Sequence, residues 1–68
     1  MSERWFQNYR MDFINEMLRV YGFINREHLM RKFSMSQPQA SKDLRMFERC
    51  NPRKMSYNLS TKRYEATR

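Results

Sequence analysis

Glycine, cysteine and histidine each occur once in these 68 residues, as Gly22, Cys50 and His28, and proline only twice. Each scarcity removes a class of chemistry. A single glycine cannot build a glycine-rich loop around a phosphate. A single cysteine allows neither an internal disulfide nor a thiolate metal site, so Cys50 is expected to be a buried or half-buried thiol. His28 has no second His or Cys at ligand spacing and is expected on the surface. No histidine–carboxylate–nucleophile set can be assembled, and the chain reads as a non-enzyme with no cofactor and no metal. There is no apolar run of membrane-spanning length, and the start "MSERWF" lacks the apolar segment of a signal peptide. A soluble, cytoplasmic protein is the expectation.

Acidic residues are scarce in one part of the chain only. Up to residue 30, Arg4, Arg10, Arg19 and Arg26 are balanced by Glu3, Asp12, Glu16 and Glu27. From residue 31 onward the only acids are Asp43, Glu48 and Glu65, and the whole formal charge of +7 lies there. A one-sided cationic excess attracts phosphate backbones. Bulky apolar residues are plentiful by contrast: five Phe, four Tyr, one Trp and seven Met. They predict a folded single domain over residues 1–68, although a chain this short supports only about 3–5 kcal/mol of net stability.

Apolar residues at 6, 9, 13, 14, 17, 18 and 21 recur at three- and four-residue steps, which is one face of a helix from about 3 to 21. Trp5 and Phe6 are expected to pack over the core. Gly22 follows directly and suits the left-handed position that ends a helix. "FIN" at 23–25 reads as a short extended link, with Asn25 capping a second helix from 26 to about 33 that buries Leu29 and Phe33. Ser34 and Met35 alone separate it from the next cap, Ser36. "SQPQ" places a glutamine three residues after that serine, the pattern of a capping box, with Pro38 in the first turn where a missing amide donor costs nothing. A third helix then runs from 37 to about 50 and stops at Asn51-Pro52. Two helices joined by so short a turn, with Met35 filling the angle, form a helix-turn-helix.

At about 100° per residue, Ala40, Leu44 and Phe47 of the third helix share a narrow arc and are its expected buried stripe. Opposite them lie Pro38, Ser41, Lys42, Arg45 and Arg49, with Gln37 and Gln39 at the N-terminal end and Asp43 and Glu48 on the flanks. That outer face is all hydroxyl, amide or cation, where a plain solvated face mixes signs. Past residue 52 the helical period is lost. Met55 and Tyr57, then Tyr64 and Ala66, alternate with polar residues, which predicts a hairpin at about 55–67 with Lys62 and Arg63 near its tip and Arg53 and Lys54 at its base. Tyr57 and Tyr64 are expected to pack back onto the first and third helices, because an isolated hairpin is marginal. The fold class is thus mainly α with a small β-hairpin: a winged helix-turn-helix of three helices plus wing.

The stretches "INR..LM..F..S.PQAS.DL" and "NP......Y....K.Y.AT" are the most informative, and with them residues 10–67 resemble the N-terminal winged helix-turn-helix of bacterial transcription regulators that carry a WYL domain. The similarity is greatest to the group controlling phage-defence systems and looser to DeoR-type repressors. The resemblance implies sequence-specific binding of double-stranded DNA, commonly as a homodimer on an inverted repeat, usually to repress. By position it makes Ser36, Gln37, Gln39, Ser41, Lys42 and Arg45 recognition-helix residues and places Lys62 and Arg63 on the wing. The WYL sensor domain and the C-terminal dimerisation segment have no counterpart in these residues. A stand-alone regulator from a phage or mobile element and a domain of a longer regulator both fit.

In the mechanism that follows, the third helix enters the major groove. Gln37 or Gln39 pairs with adenine and Arg45 forks onto guanine, while Ser36, Ser41, Arg31, Lys32, Arg53 and Lys54 hold phosphates. Trp5, Tyr9 and Met11 of the first helix are a candidate dimer surface. The rival expectation is a small phage or mobile-element protein that uses its winged helix to inhibit a host protein or nucleoprotein complex.

Overall fold

A computed structural model describes residues 3–67 of the chain, apart from the side chain of Glu3. Helix α1 spans Glu3–Tyr21, strand β1 Phe23–Ile24, helix α2 Arg26–Phe33, helix α3 Gln37–Cys50, strand β2 Met55–Asn58 and strand β3 Arg63–Ala66. Three helices and a small antiparallel sheet in this order make a winged helix-turn-helix. Among the described residues no helix is long and apolar enough to cross a membrane.

Every element except β3 places a buried residue in the core, and β3 packs against it. Ile14 and Leu18 of α1, Ile24 of β1, Leu29 of α2, Ala40, Leu44 and Phe47 of α3 and Met55 of β2 are all buried. Met11, Phe13, Met17, Met30, Phe33, Met35, Tyr64 and Ala66 pack around them. Met35 therefore sits at the α2–α3 angle as its position in the short turn suggests. Ser34, ending α2, takes up a left-handed conformation with φ 52°.

Gly22 is the pivot between α1 and the sheet. At φ 81° it turns the chain out of the helix, its N–H donating to the Leu18 carbonyl at 3.0 Å. Its own carbonyl accepts from Ala66 N–H at 2.9 Å, so the end of α1 is tied to the last strand. The residues that follow differ from expectation: Phe23 and Ile24 are a strand and not a bare link. They pair antiparallel with β3, Phe23 opposite Glu65 and Ile24 opposite Tyr64. The sheet order is β1-β3-β2, with the last strand in the middle. Two residues are too few to show alternation, which is why the pattern gives no hint of β1.

Helix α2 is capped reciprocally. The Asn25 side chain accepts from His28 N–H at 3.3 Å, while Asn25 N–H donates to Nδ1 of His28 at 3.2 Å. Glutamate or glutamine usually supplies the second half of such a box; here the imidazole does. Asn25→Ala is expected to cost about 1 kcal/mol of stability, read as a lowered midpoint in urea unfolding with an unchanged slope.

Three expectations fail on packing. Trp5 and Phe6 do not cover the core: each is about half exposed, at 47% and 48%. Trp5 instead meets Phe6 and Tyr9 edge to face, and Tyr9 meets Phe33, in an aromatic ladder on the surface. The aromatic side of the first turns of α1 faces outward, while Gln7 beside it bonds Met46 of α3. Cys50 is exposed, at the very end of α3 and off the arc that carries Phe47 into the core. Tyr57 remains 42% exposed and leans on Tyr64, which alone of the two packs against the core.

Candidate nucleic-acid interface

The apolar stripe of α3 fixes which way its other faces look. With Ala40, Leu44 and Phe47 against the core, Pro38, Lys42, Arg45 and Arg49 all stand exposed on the opposite side, and Ser41 is half-buried beside them. The ion pairs among the described residues are Arg10–Asp43, Arg19–Glu16 and Arg63–Glu65, so Lys42, Arg45 and Arg49 carry uncompensated charge. They follow at three- and four-residue steps, where like charges weaken a helix by about 0.2–0.5 kcal/mol per pair. The row costs the fold stability and is held open to solvent.

Asp43 behaves differently from a flank residue. It is fully buried, lying on the side of α3 that faces α1. Arg10 of α1 reaches it with Nε at 2.6 Å and a second guanidinium nitrogen at 3.4 Å, and the Gln39 amide donates to it at 3.0 Å. Its carboxylate is thus satisfied on both oxygens by donors from two helices. A helical wheel puts Asp43 at the edge of the apolar arc, and only the approach of α1 makes that edge an interior. Arg10, on the otherwise apolar side of α1, was the available hint.

This network changes the disposition of Gln39. The Ser36 hydroxyl accepts from Gln39 N–H at 3.4 Å, as a cap should. The return half of the expected capping box is missing, because the Gln39 side chain is drawn to Asp43 instead. Gln39 therefore points to the α1 side of the helix, away from the Lys42–Arg45 row. Gln37 lies exposed on the other flank. With its amide oxygen turned toward Arg26, it accepts from that guanidinium at 3.1 and 3.3 Å. Arg26, at the first position of α2, is a cation beside α3 that the charge count passed over, since it falls in the neutral part of the sequence.

The wing is built as a rigid arm. Glu48, on the flank of α3, accepts from Tyr57 N–H at 3.2 Å and holds β2 to the helix. At the turn Asn58 Oδ1 accepts from Ser60 and Thr61 N–H at 2.8 and 3.2 Å, and Lys62 adopts a left-handed φ of 57°. Strand alternation separates the two wing cations. Lys62 is exposed in the turn and unpaired among the described residues. Arg63 lies on the outer face of the sheet, over the Phe23 ring at 4.1 Å and bonded to Glu65 at 3.1 Å. Asn58 and then Arg63 hold the Glu65 carboxyl below the usual carboxylate range. Arg63 is thus engaged as a strut between β3 and β1.

The remaining cations are scattered. Lys32 and Lys42 line one concavity with Gln39 and Asp43 between α1, α2 and α3. Arg31 faces a different hollow, beside Phe13, Met17 and Tyr21, away from α3. Arg53 and Lys54 are exposed in the loop after α3; their carbonyls accept from the Thr67 hydroxyl and N–H. Helix α3 has 14 residues and is therefore about 21 Å long at 1.5 Å per residue, which puts that loop far from Ser36. Arg26, Ser41, Arg45 and Lys62 come together beside the wing, and Gln37, Lys42 and Arg49 are exposed elsewhere along α3. Among the described residues no group of three or more His, Cys, Asp or Glu could hold a metal ion.

The model of the BrxR transcriptional regulator winged helix-turn-helix domain matches residues 7–68. The DNA-binding transcriptional repressor CapW of Escherichia coli (strain KTE188) is 40% identical over 65 residues, covering 96% of this chain and 22% of that protein. CapW of Stenotrophomonas maltophilia is 41% identical over 64 residues, covering 94% and 21%. CapW of Pseudomonas aeruginosa is 38% identical over 64 residues, with the same coverage. The chain spans about a fifth of the length of these curated relatives.

Proposed function

We propose, for a chain that belongs to the family of BrxR transcriptional regulator winged helix-turn-helix domains, that it binds double-stranded DNA by sequence and represses transcription. The observation that carries this reading is the exposed, unpaired row Lys42–Arg45–Arg49 on a helix whose opposite face is locked into the core. Helix α3 enters the major groove. Arg45, mid-row, forks onto guanine, and Gln37 reads beside it, each contact discriminating by about 1–3 kcal/mol. Lys42, Arg49 and Lys62 hold backbone phosphates and set the register. The repressor activity rests on what the CapW relatives are named for. The chain would act in the cytoplasm, where its DNA lies.

A single module of this kind buries only about 600–1,000 Å² on DNA, which favours two copies on an inverted repeat. The half-exposed Trp5, Phe6 and Tyr9 at the start of α1 are available as a surface between them. Selection of duplexes from a random pool tests the reading directly: ordered inverted repeats support it, and uniform enrichment refutes sequence recognition. Affinity for the selected duplex should fall steeply with salt, at a log–log slope of about −4 to −5 if some five phosphates are neutralised per protomer. Fluorescence anisotropy titrations at several salt concentrations check this, and a slope near zero would remove the electrostatic part.

A further inference from the structure

Between the start of α2, the flank of α3 and the inner side of the wing lies a cleft of about 380 Å³. Arg26 comes to it from α2, Arg45 and Ser41 from α3, and Tyr57 and Lys62 from the wing. None of its three cations has a carboxylate partner among the described residues. Glu27 lies on the rim as the single acid, so the cleft is net positive.

We propose that this cleft seats one phosphodiester of the DNA backbone, with Arg26 and Lys62 supplying charge and the Tyr57 hydroxyl a directed hydrogen bond. The assignment rests on the reading of α3 as the groove-entering helix, and it adds Arg26 and Tyr57 to the interface. Four observations support it. The cations come from three separate elements, so their approach is a product of the fold and not of a local basic run. Arg26 already donates to Gln37, which fixes its guanidinium beside the N-terminal end of α3 while leaving other donors free. Tyr57 lines the cleft and is 42% exposed, its ring leaning on the packed Tyr64, so it is accessible to a group seated there. Tyr64, on the same wall, has its phenol pushed up by burial and then by Glu48, with Arg45 opposing, and it stays a neutral donor. The N-terminal end of α2 adds a favourable dipole toward an anion at this position.

The phosphate contact and the base contact can be separated by their dependence on sequence and salt. Arg26→Gln and Tyr57→Phe alter exposed side chains and should leave thermal unfolding close to that of the unaltered chain. Binding is measured by anisotropy on a duplex from the selection and on a scrambled duplex, each across a salt series. Arg26→Gln is expected to weaken both duplexes equally, by about five- to tenfold, and to bring the salt slope about one unit closer to zero. Tyr57→Phe is expected to weaken both about threefold without changing the slope. Arg45→Gln should instead narrow the gap between the two duplexes. Should Arg26→Gln destabilise the fold, Lys62→Gln at the exposed turn gives the same slope test from the other wall. Unchanged affinity and slope in Arg26→Gln, with Tyr57→Phe also unchanged, would overturn the seat. If the unaltered chain binds both duplexes alike and Arg45→Gln does nothing, the failure lies in the groove-reading model itself.

Discussion

Arg10→Ala is expected to unfold this domain at room temperature. Asp43 has no exposed surface, and the side chain of its partner Arg10 is only 19% exposed, so the pair lies inside the α1–α3 interface. Removing one member of such a pair leaves an uncompensated buried carboxylate, which costs about 3–5 kcal/mol. A chain of this length has about 3–5 kcal/mol in total. The Gln39 amide stays in place but cannot neutralise a charge. Circular dichroism should show the helical signal largely lost at 25 °C, whereas the double change Arg10→Met with Asp43→Leu should restore most of it, since apolar replacements of similar volume fill the interface without desolvated charge. A single variant that melts within a few degrees of the unaltered protein would show that water reaches Asp43.

Charge reversal on the outer face of α3 should do the opposite: leave the fold intact and abolish DNA binding. Lys42 and Arg45 are exposed and unpaired, so Lys42→Glu with Arg45→Glu disrupts no packing; one like-charge pair replaces another, and the attraction gained toward Arg49 offsets that lost toward Glu48. On the proposed reading of α3, the same change would remove a base-reading fork and a phosphate contact on DNA and place two carboxylates against the backbone. Losses of about 2 kcal/mol at each position compound to roughly a thousandfold weaker binding. Anisotropy titration would register this as no saturable binding at micromolar protein, with thermal stability close to that of the unaltered chain. Repression that survived the reversal would instead favour a winged helix that works by binding another protein.

The helical part of the fold was legible because each helix carries its own punctuation. Gly22, Asn25, Ser36 and Asn51-Pro52 bracket three segments whose apolar period needs no tertiary context. The outer face of α3 was legible for the same reason: once Ala40, Leu44 and Phe47 are assigned to the core, geometry gives Lys42 and Arg45 to solvent. What escaped depends on contacts between distant segments. Asp43 looks like a flank residue until Arg10, 33 positions away, is brought beside it. Gln39 passes for a groove-facing amide until that carboxylate claims it. Phe23 and Ile24 become a strand only because β3 comes alongside. Arg63 looks as free as Lys62 until the Phe23 ring sits beneath its guanidinium. Trp5 and Phe6 look like interior residues on hydrophobicity alone, and only the way α1 docks turns them outward.

The position of the last strand has a kinetic consequence. β3 joins Phe23 to Glu65 and Ile24 to Tyr64, partners roughly forty residues apart, so the docking of β3 carries a large loop-closure entropy. Helix docking through nearby contacts can come first, leaving a three-helix ensemble whose wing forms only when the final segment arrives. Substitutions in β1 or β3 should accordingly act mainly by speeding unfolding, whereas equally destabilising ones in the α2–α3 turn slow refolding, and during synthesis the wing is the last part to take shape.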